Sequence, residues 1–210
     1  MQHLEYSTEK KSKTSIFFSI DNSPLSEITA PRNTAIISSR NLVEAYPSIF
    51  KGKKLIVIDD TEPHKNLATI EKIIAELLEL GTDRNSYIIG IGGGIVCDIT
   101  GFVSHIYMRG VRFGLVPTTL LAMTDASIGG KNGVNFNENK NFIGSFDNPD
   151  FIISDSKFLH TLPEKQYLSG LGEIIKYALI GNSNILNILE TNPDKILNRN
   201  SETIQKLVSE

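Results

Sequence analysis

At 210 residues with 40% hydrophobic content, the chain is long enough for one large domain with a packed core, or for one domain and part of another. Its 21 basic and 24 acidic residues give a net charge of −3, which excludes the strongly basic balance of a nucleic-acid binder or of a protein that docks on an acidic membrane. A single cysteine, Cys97, excludes an internal disulfide; no apolar run reaches the length of a membrane span, and the polar stretch Met1 to Ser12 lacks a signal-peptide core, so a soluble cytoplasmic protein is expected.

In chain order, Ile16 to Ile20 reads as a first strand and Thr34 to Ser38 as a second, with Pro24 and Pro31 marking a loop between them. Lys54 to Ile58 is a buried strand ending at Asp59-Asp60. Leu67, Ile70, Ile73, Ile74, Leu77 and Leu78 then follow a helical period, and Gly81 stands where a helix stop belongs. Tyr87 to Ile91 is a further buried strand, followed by Gly92-Gly93-Gly94 and by the helical spacing Ile95, Ile99, Phe102, Val103, Ile106. Strand, glycine turn and helix in that order bring free N–H groups and the positive end of a helix dipole to one point, which suits a pyrophosphate; the same three glycines also suit an ordinary tight loop. Asp98 is expected in the first turn of that helix.

Phe113 to Val116 is the next strand, and Pro117-Thr118-Thr119 brings two hydroxyls to the same carboxyl edge of a parallel sheet, where open α/β sheets bind ligands. Phe151 to Ser154 is another strand, and Leu162-Pro163-Glu164 opens a helix with Pro163 at its first position. Leu168, Leu171, Ile175, Ala178 and Leu179 form its apolar stripe, with Ser169, Glu173 and Lys176 on another face. From Asn184 the pattern stays helical. Strands alternating with helices predict a Rossmann-like α/β domain over 1–160, with 161–210 the beginning of a helical domain. By position alone Glu62 and Lys65 are solvated loop charges, Glu173 and Lys176 are a surface ion pair, and Arg109, Lys131 and Lys140 are surface cations.

The segments G-G-G-I-V-C-D, Y-M-R-G-V-R-F, V-P-T-T-L-L-A-M-T-D-A-S-I-G-G-K-N-G-V-N, K-N-F-I-G-S-F, T-L-P-E and G-L-G-E-I-I-K-Y occur in this order between about Lys54 and Gly181. Together they resemble the 3-dehydroquinate synthases, a family of sugar-phosphate cyclases. The resemblance implies a lyase of the shikimate pathway, leading to aromatic amino acids, that uses catalytic NAD and a divalent metal, zinc or cobalt, to convert a phosphorylated seven-carbon sugar acid to 3-dehydroquinate with loss of phosphate. In that family NAD transiently oxidises a secondary alcohol beside the metal, phosphate leaves, and the hydride returns.

The resemblance implies that Asp60, Glu62 and Lys65 hold the adenosine half of NAD, that Gly93, Gly94, Ile95, Val96, Cys97 and Asp98 form the pyrophosphate turn, and that Thr118, Thr119, Lys131, Lys140, Phe158, Leu159, His160 and Thr161 line the cofactor site. Arg109, Asp125, Lys131, Lys140, Asn141 and Lys176 correspond to substrate-handling residues, with Arg109 reaching a neighbouring subunit in a homodimer; Glu173 corresponds to a metal ligand. Thr61 stands for a usual glycine, Ser39 for Asp or Asn, Asn139 for glycine, Gly172 for alanine, and Cys97, a packing residue, for glycine. His105 and His160 are expected in the core or along the cofactor, and no histidine has metal-ligand spacing with Glu173, so the chain alone is expected to be inactive. The other readings are a related cyclase, a zinc-dependent polyol dehydrogenase, and a non-catalytic NAD-binding fragment.

Overall fold

The strand Tyr87–Gly92 (β5) is buried at every position and lies at the centre of a seven-stranded sheet in the computed structural model, which describes residues 2–7, 13–19 and 33–210. The loop expected around Pro24 and Pro31, and Ile20 at the end of the first expected strand, lie outside the described residues. The other strands are Gln2–Ser7 (β1), Lys13–Ser19 (β2), Thr34–Ser39 (β3), Lys54–Ile58 (β4), Arg112–Pro117 (β6) and Phe151–Asp155 (β9), in the order β1-β2-β9-β6-β5-β3-β4. All neighbours pair in parallel except β1, which adds an antiparallel edge to β2. A separate hairpin joins Lys131–Phe136 (β7) to Asn139–Phe146 (β8).

Helices cover both faces, which explains why the inner strands read as continuous apolar runs rather than as alternations. Because successive side chains in a strand point to opposite faces, Ile36, Ile89 and Ile91 enter one core and Ile37 and Ile88 the other. The second core is closed by α3 (Leu67–Glu79) and α4 (Gly94–Ile106); the first is closed by α5 (Glu164–Ile180), α6 (Ser183–Thr191), α7 (Pro193–Leu197) and α8 (Ser201–Ser209). Two short helices, α1 (Arg40–Ala45) and α2 (Pro47–Phe50), connect β3 to β4.

In α3 the Asn66 side chain caps the first turn by accepting from the Thr69 N–H, and Ile70, Ile73 and Leu77 fall on one face and are buried. Each such side chain contributes about 1.5–3 kcal/mol of transfer free energy. Gly81, with φ of +65°, follows the helix as expected.

In α5 the expected stripe holds at Leu171 and Ala178 and is corrected at Leu168, Ile175 and Leu179. Tyr167, Gly170, Leu171, Ile174 and Ala178 are buried, whereas Leu168, Ile175 and Leu179 are exposed, and Pro163 caps the helix rather than opening it. Two stripes satisfy the helical period, and Gly170 decides between them. A Cβ there would lie 2.7 Å from Leu120 Cβ and 2.9 Å from the Leu121 nitrogen, so only a glycine lets the helix approach that backbone. Tyr167, its hydroxyl donating to the Ile196 carbonyl at 2.6 Å, ties α5 to α7, and burial pushes its phenol up to about 12.

Candidate active site

The chain runs from β3 outward to β4, then returns past β3 to β5 and continues through β6 to β9. The direction of winding therefore reverses between β3 and β5, and the carboxyl ends of those two strands define a switch point, where open α/β sheets hold their ligands. A crevice of about 220 Å³ opens there, lined by Ser39, Asp60, Gly93, Thr118, Thr119, Phe158 and Thr161 among others.

The floor of the crevice is the start of α4. Gly93 is its N-cap and offers no side chain to the first-turn N–H groups, which leaves those donors directed at the crevice. The Thr118 N–H donates to the Gly92 carbonyl at 2.9 Å, which registers the two threonines beside the glycine turn; a Cβ on Gly93 would meet Thr119 Cγ2 at 3.1 Å. Val96 is fully buried. Cys97 has no exposed surface, its N–H is spent on the Gly93 carbonyl, and its thiol points back at the Gly92 carbonyl at 3.8 Å. Burial pushes that thiol far above its ordinary range, so it is a packing residue.

Of the four residues expected to follow β9, two face the crevice. Ser156–His160 is a 3₁₀ turn, in which residues three apart share a face, so Phe158 and Thr161 line the crevice together. The Leu159 side chain turns into the core, and His160 lines a separate surface hollow beside Asp194 and Arg199. His105 is neither core nor cofactor-lining: it is partly exposed and pairs with Asp147 at 3.1 Å.

Asp98 lies in the second turn of α4, not the first, because the helix begins at Gly94. Its carboxylate is engaged by the ammonium of Lys65, which also donates to the Asn141 amide oxygen. Lys65 is therefore no solvated loop charge: it is buried and joins the turn after β4, helix α4 and strand β8. Burial raises the Asp98 carboxyl above its ordinary range, with Lys65 opposing. Asp98, Lys131 and Asn141 border a second pocket of about 330 Å³ between α4 and the hairpin. The hairpin packs close to α4 because a Cβ on Gly101 would fall 1.8 Å from Asn132 Oδ1.

Glu62 accepts from Asn135 Nδ2 at 2.9 Å and lies 3.9 Å from the exposed Lys140 ammonium. Arg109 is exposed on a corner where Met108, Arg109 and Gly110 all have positive φ, of 49°, 69° and 115°. Asp125, in a π turn at Ala122–Ala126, interacts with the Tyr177 hydroxyl of α5, whose phenol is raised by burial and then by the Asp125 carboxylate. Glu173 and Lys176 form an i,i+3 ion pair on α5. Among the described residues no three His, Cys, Asp or Glu side chains gather where they could hold a metal ion, at Glu173 or elsewhere. The residues missed from sequence are Asn135 and Asn66, whose backbones meet in a bridge between the hairpin and the turn after β4. Only a three-dimensional pairing could have found them.

A parallel α/β sheet with a glycine-started helix and a polar crevice at its switch point defines a nucleotide-binding enzyme fold of the Rossmann-like class. A sequence model described as 3-dehydroquinate synthase N-terminal matches residues 55–169, more than half of the chain. This chain belongs to the 3-dehydroquinate synthase family. It is 46% identical over 156 residues to the 3-dehydroquinate synthase of Dictyoglomus thermophilum, covering 74% of this chain and 44% of that protein. It is 43% identical over 178 residues to that of Saccharolobus solfataricus, covering 84% of this chain and 50% of that protein. The chain thus spans about half the length of these relatives. Its fold matches a 2-epi-5-epi-valiolone synthase from Streptomyces hygroscopicus subsp. jinggangensis, solved with NAD+ and Zn2+, at a TM-score of 0.84 and 25% identity over 97% of this chain and 60% of that one. Among the described residues no helix is long and apolar enough to cross a membrane.

Proposed function

We propose that this chain is the NAD-binding part of a 3-dehydroquinate synthase, a phosphate-eliminating cyclase acting on a phosphorylated seven-carbon sugar acid. The observation that carries this reading is the uncapped glycine start of α4 beside Thr118 and Thr119 in the switch-point crevice. The N–H groups of Gly94, Ile95 and Val96 have no intrahelical acceptor and suit a pyrophosphate, while Asp60, Phe158 and Thr161 suit the adenosine end. NAD, when bound, accepts a hydride from the substrate and returns it. Lys131, Lys140, Lys176 and Arg109 supply the positive charge that a phosphate and a carboxylate require, and Asp125 and Asn141 supply groups that orient hydroxyls.

Among the described residues no group of three His, Cys, Asp or Glu side chains makes a metal site, and Glu173 is paired with Lys176. We therefore assign residues 161–210 to the opening of a helical region and Glu173 to a site completed by other residues, in a cytoplasmic homodimer. Calorimetric titration of the chain with NAD tests the reading: saturable binding is expected, and Gly94→Val is expected to abolish it by filling the space beside Ala126, whose Cβ already lies 3.2 Å from where a Cβ on Gly94 would be. Equal binding by both proteins would remove the glycine turn as the site.

A further inference from the structure

We infer that Asn135, which lines neither the crevice nor the pocket beside α4, is a positioning residue that latches the β7–β8 hairpin onto the Glu62–Lys65 turn and thereby holds Asn141 beside Asp98 and Lys140 beside Glu62. The inference rests on the reading of this edge as the NAD site. Between the Val134–Ile143 and Phe136–Asn139 pairs the ladder is irregular, so Asn135 has no regular partner in the hairpin. Its backbone N–H turns outward and donates to the Lys65 carbonyl at 2.8 Å. Its side-chain oxygen accepts from the Asn141 N–H at 2.8 Å, and its side-chain nitrogen donates to Glu62 Oε1 at 2.9 Å.

The bonds close into a ring. Asn135 binds the Lys65 backbone, the Lys65 ammonium binds the Asn141 side chain, and the Asn141 N–H returns to Asn135. Asn141 has a φ of +51°, left-handed backbone that asparagine tolerates better than most side chains, and contacts on two sides hold it there. Asn135 supplies that hold on the backbone side and Lys65 on the side-chain side. The chemistry of the pair also separates the two halves of the latch: a carboxylate at position 135 keeps the acceptor for Asn141, but loses the donor for Glu62 and places a like charge against it.

The experiment compares the parent chain with Asn135→Ala and Asn135→Asp by segment-resolved hydrogen exchange and by NAD calorimetry. Asn135→Ala is expected to raise exchange in the hairpin and at the 62–66 turn by at least about fivefold, with β5 and α4 unchanged, and to weaken NAD binding by a similar factor. Asn135→Asp is expected to keep the Asn141 segment protected while the 62–66 turn alone exchanges faster. Unchanged hairpin exchange in Asn135→Ala, or a rise shared equally by β5 and α4, overturns the latch; so does loss of Asn141 protection in Asn135→Asp. A parent chain that binds no NAD overturns the proposed function instead, and the exchange comparison still decides the latch.

Discussion

Lys65 and Asp98 form a shielded ion pair, their side chains 6% and 18% exposed, across two elements that are distant in sequence. Removing the cation leaves a carboxylate in a largely desolvated position. For Lys65→Met we expect a loss of about 2–3 kcal/mol, below the full cost of breaking a fully buried pair because Asp98 can take up a proton. Urea denaturation measures it; a loss under about 0.5 kcal/mol, the range of an exposed pair, would contradict the enclosure described here.

The same carboxyl gives a pH dependence with a definite sign. Burial raises the folded-state pKa of Asp98, so the folded chain binds this proton at a higher pH than the unfolded chain does. The stability contributed by this group is therefore greatest below the raised pKa and declines as pH rises through it. Asp98→Asn removes the slope. The stability of the parent minus that of Asp98→Asn should fall as pH rises above the ordinary aspartate range of about 4. A difference that rises instead would reverse the assignment.

The two apolar stripes of α5 should respond oppositely. Leu171 is 7% exposed and Leu179 73% exposed. Leu171→Ala is expected to cost about 2–4 kcal/mol, and Leu179→Lys less than about 0.5 kcal/mol. Thermal unfolding of the two variants suffices, and comparable losses would mean that Leu179 is packed as Leu171 is.

Gly101→Ala tests the seat of the hairpin. The added Cβ collides with the Asn132 side chain, and a cost of about 2 kcal/mol is expected although alanine favours the helix. Asn132→Gly removes the obstacle, so the double variant should recover about 1 kcal/mol or more of coupling energy in a double-mutant cycle. Additive losses would show that the collision is relieved elsewhere.

The order β5, glycine turn, α4 was legible because one short run carries a buried strand, uncapped glycines and a helical period, and Thr118-Thr119 followed by the same logic at the end of β6. The hairpin was not legible. Its anchor is a set of polar bonds from Asn135 to Glu62 and Lys65, more than sixty residues away, which no local period reports. The family resemblance points to Phe158–Thr161 as a block, and only the 3₁₀ turn shows that the side chains of Phe158 and Thr161 share the crevice while those of Leu159 and His160 leave it. For α5, periodicity allowed two stripes, and the choice belongs to Gly170 and the Leu120 backbone it meets.

The corner at Met108–Gly110 sets stability against use. Two consecutive non-glycine residues there hold left-handed backbone, each at a cost of about 1–2 kcal/mol. A chain selected for robustness alone would place glycine at all three positions and relax the turn. Under the proposed function the arginine cannot be given up, so the corner is a standing strain that narrows how much destabilising variation the rest of the core can absorb.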